Sequence, residues 1–138
     1  MSTTTFDEMA LATGKTFVWH ELYTGNLDTA LNFYKEALDF GTHEMDMGPM
    51  GTYKMLTKNG NPICGAVDTN SLPMKDIPPH WATYLAVDDV DARLAKCQEL
   101  GATVVVPPMD VPTVGRMTLI QDPTGAHIWL FTPNMNQQ

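Results

Sequence analysis

The sequence predicts an α+β fold of two βαβββ modules that form a curved, cup-shaped mixed sheet. The first observation is that the same order of elements, a strand, a helix and three strands, occurs twice. The second is that a shift of 63 residues superposes four identical pairs: Leu22 on Leu85, Asp28 on Asp91, Leu31 on Leu94 and Glu36 on Glu99. Each half alone would leave one sheet face bare, and two such faces can wrap a shared cavity.

A third observation is the proline-rich segment between the two halves, SLPMKDIPP, which cannot form the interior of a regular element. It divides the chain into five predicted parts. These are a Thr-rich leader over 1–14, a first module over 15–70, the linker over 71–79, a second module over 80–133 and a tail over 134–138.

The first module begins with a β-rich run, FVWHELYT, which ends before Gly25-Asn26. Asn26 can cap a helix, and the apolar residues that follow it have helical spacing. The helix is predicted to end near Phe40-Gly41, where glycine permits a left-handed cap. Three strands follow at about 42–47, 52–58 and 61–68, and Asn59-Gly60 is a strong hairpin-turn signal between the last two.

The second module repeats this order from a strand over 80–87. Asp88 or Asp89 caps its helix, and Gly101 closes it. The remaining strands are predicted at Thr103–Val106, Gly115–Gln121 and Ala126–Phe131. The last two are joined by the turn DPTG, in which Asp122 is expected to cap its own turn.

Composition limits the classes of partner. The 138 residues contain 8 Lys plus Arg against 16 Asp plus Glu, a net charge of −8. This acidity argues against binding to nucleic acid or to an anionic membrane surface, because both depend on clustered cations.

No apolar run approaches the roughly 18 residues that cross a bilayer, and the start resembles no secretory signal, so a cytoplasmic protein is expected. Cys64 and Cys97 have neither metal-type nor redox spacing.

Four segments carry a resemblance to a known family: FVWHELYTGNLDTALNFYKEALDF, MDMGPMGTYKM, VDDVDARLAKCQELGATVVVPP and GRMTLIQDPTGAHIWLF. They resemble the vicinal oxygen chelate superfamily of glyoxalases, bleomycin-resistance proteins and extradiol dioxygenases, in particular its small glyoxalase-related bacterial branch. The resemblance covers roughly residues 15–133. It implies paired βαβββ modules, a homodimer and a small-molecule ligand.

The resemblance also implies where a divalent metal would be held, at His, Gln or Glu on the first and last strand of each module. Counted from the helix starts and the last turns, these positions are occupied by Trp19, Cys64, Ala82 and Trp129. Indole and methyl groups are not metal ligands, and one cysteine does not make a site. No metal or other cofactor is therefore predicted. If the strand register were wrong, His20 or His80 would become a candidate ligand.

The positions that the resemblance implies, extended by strand alternation, give the candidate site residues. The residues predicted to line a small-molecule pocket are Trp19, Tyr23, Tyr53, Met55, Cys64, Tyr84, Arg116 and Trp129. Glu21 and His127 are the candidates for acid–base catalysis. Two alternatives stay open: ordinary sheet packing could fill the cavity, and Arg116 could form a salt bridge instead of holding an anionic ligand.

The predicted function is metal-independent binding or sequestration of a small molecule, of the glyoxalase/bleomycin-resistance type. Aromatic walls and the acidic field favour a cationic aromatic ligand, stacked on Trp19, Trp129 and Tyr84. The alternative is a lyase-, isomerase- or dioxygenase-like enzyme acting on a small oxygenated or thiol-conjugated substrate.

Overall fold

The structure is a computed structural model that describes residues 17–72, 76–112 and 114–133. The predicted leader, the tail and residues 73–75 of the predicted linker lie outside the described residues. The chain divides into two compact units, one over Trp19–Ala82 and a second that includes residues 83–133. Among the described residues, no helix has the length and apolar character needed to cross a bilayer.

The first unit has the predicted order of one strand, one helix and three strands. Its elements are β1 (Phe17–Thr24), α1 (Leu27–Leu38), β2 (Gly41–Asp46), β3 (Thr52–Lys58) and β4 (Asn61–Asp68). Its strands lie in the order β2-β3-β4-β1, with β1 parallel to β4 and the other neighbours antiparallel. Short 3₁₀ turns at Gly48–Met50 and Thr69–Ser71 follow β2 and β4.

Helix α1 begins as predicted but ends differently. The side chain of Asn26 accepts a hydrogen bond from the backbone N–H of Thr29 at 3.3 Å, which caps the first turn. The left-handed residue at the other end is Asp39, with φ of 62°, and its N–H donates to the carbonyl of Lys35. The predicted glycine cap at Gly41 is wrong, because aspartate also tolerates this conformation and Gly41 already begins β2.

The core of the first unit lies between α1 and one face of the sheet. Its buried residues are Leu22, Leu31, Leu56, Cys64 and Ala66, with Leu27, Ala30, Tyr34 and Phe40 packed around them. Because side chains alternate along a strand, the residues that flank Leu22 in β1 point to the opposite face of the sheet. That second face carries the candidate site.

The same order of elements begins again at His80, within the first unit, and continues through the second. They are β5 (His80–Ala86), α2 (Val90–Glu99), β6 (Thr103–Val111), β7 (Gly115–Gln121) and β8 (His127–Pro133). The strands lie in the order β5-β8-β7-β6. The predicted α+β fold with two βαβββ modules is therefore confirmed. Strand β6 continues beyond Val106, where it was predicted to end. Register shifts on both sides of Val106 accommodate the two prolines that follow it, which an edge strand such as β6 tolerates.

Both predicted turns and the second helix cap are confirmed. Asn59 and Gly60 have φ of 54° and 82°, as a two-residue hairpin turn requires. Asp122 caps its own turn by accepting hydrogen bonds from the backbone N–H groups of Thr124 at 2.7 Å and Ala126 at 3.1 Å. Asp89 caps α2 through the N–H of Ala92.

Candidate functional site

The strand register aligns three residues across the sheet face opposite α1. Glu21 of β1 pairs with Gly65 of β4, and Gly65 pairs with Met55 of β3. Glu21 is 7% exposed and Met55 is 3% exposed. A buried carboxylate is costly unless its oxygens accept hydrogen bonds, so its partners determine what this face can do.

Glu21 lies at the centre of a hydrogen-bonded group that we call the Glu21 cluster: Trp19, Glu21, Tyr23 and Tyr53. The hydroxyl of Tyr53 donates to Oε2 of Glu21, and the hydroxyl of Tyr23 donates to Oε1 at 3.1 Å. Nε1 of Trp19 donates to the hydroxyl oxygen of Tyr53 at 2.9 Å. These hydrogen bonds compensate the carboxylate for much of the hydration it loses on burial.

Gly65 makes the contact between Tyr53 and Glu21 possible. A Cβ atom at position 65 would lie 1.7 Å from the hydroxyl oxygen of Tyr53 and 3.0 Å from Cγ of Glu21. Any other residue would therefore displace the phenol from the carboxylate. Gly65 is not among the site residues predicted from the sequence, although it lies in a strand interior, where glycine often marks a close approach.

Tyr53 remains a hydrogen-bond donor over the physiological pH range. Burial, and then the negative charge of Glu21, hold the pKa of its hydroxyl well above the ordinary value for tyrosine. The phenol is therefore neutral at physiological pH, and its proton is available to the carboxylate.

This raised pKa gives the stability of the protein a defined dependence on alkaline pH. Above about pH 10 the unfolded chain loses the Tyr53 proton while the folded chain keeps it, so the free energy of unfolding falls as the pH rises. The contribution of Tyr53 is at most about 1.4 kcal/mol per pH unit. Urea unfolding of wild type and Tyr53→Phe at about pH 9 and pH 11 should show a steeper loss in wild type. Equal losses in the two proteins would contradict this assignment.

The predicted position of Cys64 is wrong. Cys64 was expected to share a face with Trp19, but it is buried in the core beside Leu22, under α1. The reason is a bulge: Thr57 pairs with Pro62 but Leu56 pairs with Cys64, which leaves one extra residue, Ile63, in β4. Gly65 therefore occupies the last-strand position of the first module. Burial raises the pKa of the Cys64 thiol.

The histidines of the first unit lie outside the Glu21 cluster. His20 and His43 are exposed. The exposed His80 ring stacks on Tyr23, with centroids 5.2 Å apart, and its Nδ1 lies 2.8 Å from the carbonyl oxygen of Pro78. His80 thus packs against one wall of the cluster.

In the second unit, two predicted ligand-binding residues contact each other. Tyr84 and Trp129 are opposite each other in the β5–β8 register, and their rings stack with centroids 5.1 Å apart. Both are buried, so each ring covers one face of the other. His127, the predicted partner of Glu21 in catalysis, is exposed at the start of β8.

Arg116 forms the salt bridge that was one of its two predicted alternatives. Its Nε and Nη2 donate to both oxygens of Asp91 at 2.8 and 3.1 Å, and its Nη1 donates to Asp110 at 3.1 Å. The guanidinium group is thus held by two carboxylates of its own unit, as the salt-bridge alternative requires.

A comparison with models of protein families identifies the family of this chain. The model of the Glyoxalase/Bleomycin resistance protein/Dioxygenase superfamily matches residues 16–130. The chain belongs to this superfamily. The match covers both βαβββ modules, in agreement with the resemblance found in the sequence.

Two curated proteins that are similar to this chain are longer than it is. "Putative glyoxylase CFP32" of Mycobacterium tuberculosis is 34% identical over 122 residues, which are 88% of this chain and 46% of that protein. Anthracycline biosynthesis protein DnrV of Streptomyces peucetius is 34% identical over 109 residues, 78% of this chain and 38% of that protein. The chain therefore spans less than half the length of these two relatives.

Solved structures agree on the fold. Methylmalonyl-CoA epimerase from Mycobacterium tuberculosis matches with a TM-score of 0.55 and 20% identity, over 85% of this chain and 87% of that one. The Streptomyces coelicolor epimerase matches with a TM-score of 0.56 and 19% identity, over 86% and 96% of the two chains. At this level of identity the likeness shows the fold alone.

The residues of this chain do not fit the divalent metal that the superfamily resemblance implies. With the register corrected, the four strand positions carry Trp19, Gly65, Ala82 and Trp129, none of which is an oxygen or imidazole ligand. The neighbouring carboxylate of Glu21 is engaged by two phenols. Within the described parts of the chain, no group of three or more His, Cys, Asp or Glu side chains is arranged to hold a metal ion.

Proposed function

We propose that this superfamily member is a metal-independent binding protein for a small organic molecule, and that its ligand is a cationic aromatic compound. The observation that carries the proposal is the Glu21 cluster. In it, a hydrogen-bonded carboxylate and aromatic rings lie next to the strand position at which a metal-dependent member would carry a metal-coordinating residue. The site belongs to the first unit and uses residues of that unit only.

The chemistry of the cluster suits such a ligand. Indole and phenol rings attract cations through their π faces, and they also provide apolar contact area. The Glu21 carboxylate adds a negative charge in surroundings with little water, where Coulomb attraction is less screened. The net charge of −8 favours the approach of a cation. A homodimer remains a prediction from the family resemblance.

An enzyme is the second candidate, and the buried carboxylate of Glu21 is the observation that favours it. A carboxylate held by two phenols can serve as a general base or acid for a small oxygenated or thiol-conjugated substrate. In this case Glu21→Gln should abolish turnover in a substrate screen. Turnover that survives both Glu21→Gln and His127→Asn would contradict proton transfer by these residues.

The binding proposal is tested by quenching of tryptophan fluorescence with proflavine, a planar aromatic cation. Trp19→Phe removes the cluster indole, whereas Trp81→Phe removes an indole that is 46% exposed and donates to Tyr34 at 3.2 Å. We expect saturable quenching in wild type and in Trp81→Phe, and about three- to tenfold weaker binding in Trp19→Phe. Equal affinity in the two variants, or no saturation in wild type, would contradict the proposed site.

A further inference from the structure

The ring of Tyr53 lies across the sheet above Gly65. A Cβ atom at position 65 would be 2.5 Å from Cζ of Tyr53, so the phenol end of the ring is in contact with the backbone of the glycine. The hydroxyl is held there by its hydrogen bonds with Glu21 and Trp19. Because Tyr53 is only partly buried, the surface it leaves accessible lies on the side of the ring that faces away from the sheet.

Met45 lies next to Tyr53 on the same face of the sheet. The two residues are paired in the antiparallel register of β2 and β3. Directly opposed residues of neighbouring strands point to the same face, with Cβ atoms about 4.5–5.5 Å apart. Strand β2 is the edge strand of this unit, and Met45 is 43% exposed. An exposed apolar side chain therefore adjoins the accessible side of the Tyr53 ring.

The turn that follows Met45 is fixed by two local hydrogen bonds. Oδ1 of Asp46 accepts a hydrogen bond from the backbone N–H of Gly48 at 2.8 Å. The N–H of Met47 donates to the carbonyl oxygen of Gly51, also at 2.8 Å. The backbone beside Met45 thus has a defined position. Its unbranched side chain can still adapt to the outline of a ligand, and its thioether makes favourable contacts with aromatic rings.

We propose that Tyr53 and Met45 form a platform for a planar, polycyclic aromatic ligand, whose fused rings extend from the Glu21 cluster toward β2. The inference rests on the proposed function and specifies the shape of its ligand. Neighbouring strands are about 4.8 Å apart, so the three spacings from β1 to β2 give a surface about 14 Å long. A single ring would cover only part of this surface, whereas a fused ring system can contact both the phenol and the methionine.

The contribution of Met45 is tested by titration of the full chain with proflavine, a planar cation of three fused rings. Met45→Ala should weaken binding about three- to tenfold, because an apolar contact with the ligand is lost. Met45→Leu keeps the apolar area and should bind within about twofold of wild type. Met109→Ala is the matched control, since Met109 is a methionine of the edge strand β6 and is 36% exposed. It should bind as wild type does.

The shape of the ligand is tested with auramine O, a cation of comparable size whose two aryl rings are twisted out of a common plane. If apolar area alone determined the affinity, this compound would bind as tightly as proflavine. A twisted molecule cannot contact Tyr53 and Met45 with one continuous face, so we expect wild type to bind it at least about tenfold more weakly than proflavine.

The possible outcomes separate this inference from the proposed function. Equal affinity of Met45→Ala and Met109→Ala for proflavine would overturn the inference and leave a small-molecule-binding protein. Binding of auramine O as tightly as proflavine would also overturn it. Absence of saturable proflavine binding in wild type would contradict the proposed function itself. Because Met45 and Met109 are exposed, their substitution should leave the fold intact, which melting curves check.

Discussion

Gly65→Ala is expected to lower the free energy of unfolding by about 3 kcal/mol, since overpacking a buried site and leaving a buried polar group unsatisfied each cost about 1–3 kcal/mol. The new methyl group would lie 1.7 Å from the Tyr53 hydroxyl oxygen and 2.5 Å from its Cζ, so the whole ring must move. Its movement takes the hydrogen bond away from Glu21, which is 7% exposed. Steric strain and the lost hydrogen bond therefore act together.

Urea unfolding followed by circular dichroism measures this effect, with Gly25→Ala as the matched control. A Cβ at Gly25 would be 3.4 Å from Oγ1 of Thr69, an ordinary contact, and Gly25 is exposed. The control should change stability by about 0.5 kcal/mol or less. If Gly65→Ala were as stable as Gly25→Ala, Tyr53 could not occupy the space above Gly65.

Leu56→Ala is expected to destabilise the chain by about 2–5 kcal/mol, the range for deleting a buried leucine side chain. Leu56 is 0% exposed and lies in the core between β3 and α1, with Leu22 and Leu31 in the same cluster. The same substitution at Leu38, which is 51% exposed in the last turn of α1, is the control and should have little effect.

The Leu56 prediction tests which face of β3 is buried under the helix. The neighbours of Leu56 in β3, Met55 and Thr57, point to the other face, so an error of one residue in the register would exchange the two sides. Similar stability losses in Leu56→Ala and Leu38→Ala would contradict the register on which the candidate site depends.

The elements and turns of this chain were predictable because local chemistry specifies them. Asn26 and Asp89 cap their helices with their own side chains, and Asn59-Gly60 and Asp122 form turns that require these residue types. Each of these interactions spans only a few residues. A single sequence therefore contains the information they need.

The composition of the candidate site was less predictable because it depends on register. Counting from the turn assigned the last-strand position to Cys64, and the bulge at Ile63 moves it to Gly65. Whether a strand contains a bulge depends on how the neighbouring strand packs, which local sequence does not show. The sequence suggested that Glu21 and Tyr53 share a face, but the hydrogen bond between them joins residues 32 positions apart and required the structure.

Binding without a metal through the Glu21 cluster is tested by a titration of wild type with proflavine. The protein is purified without a metal-affinity tag and dialysed against a chelator, and its metal content is measured by elemental analysis. The same titration is then repeated with added Zn²⁺, Ni²⁺, Mn²⁺, Fe²⁺ or Mg²⁺. We expect no stoichiometric metal and an affinity that changes by no more than about twofold on metal addition. Stoichiometric metal in the purified protein, or binding that appears only after metal is added, would contradict it.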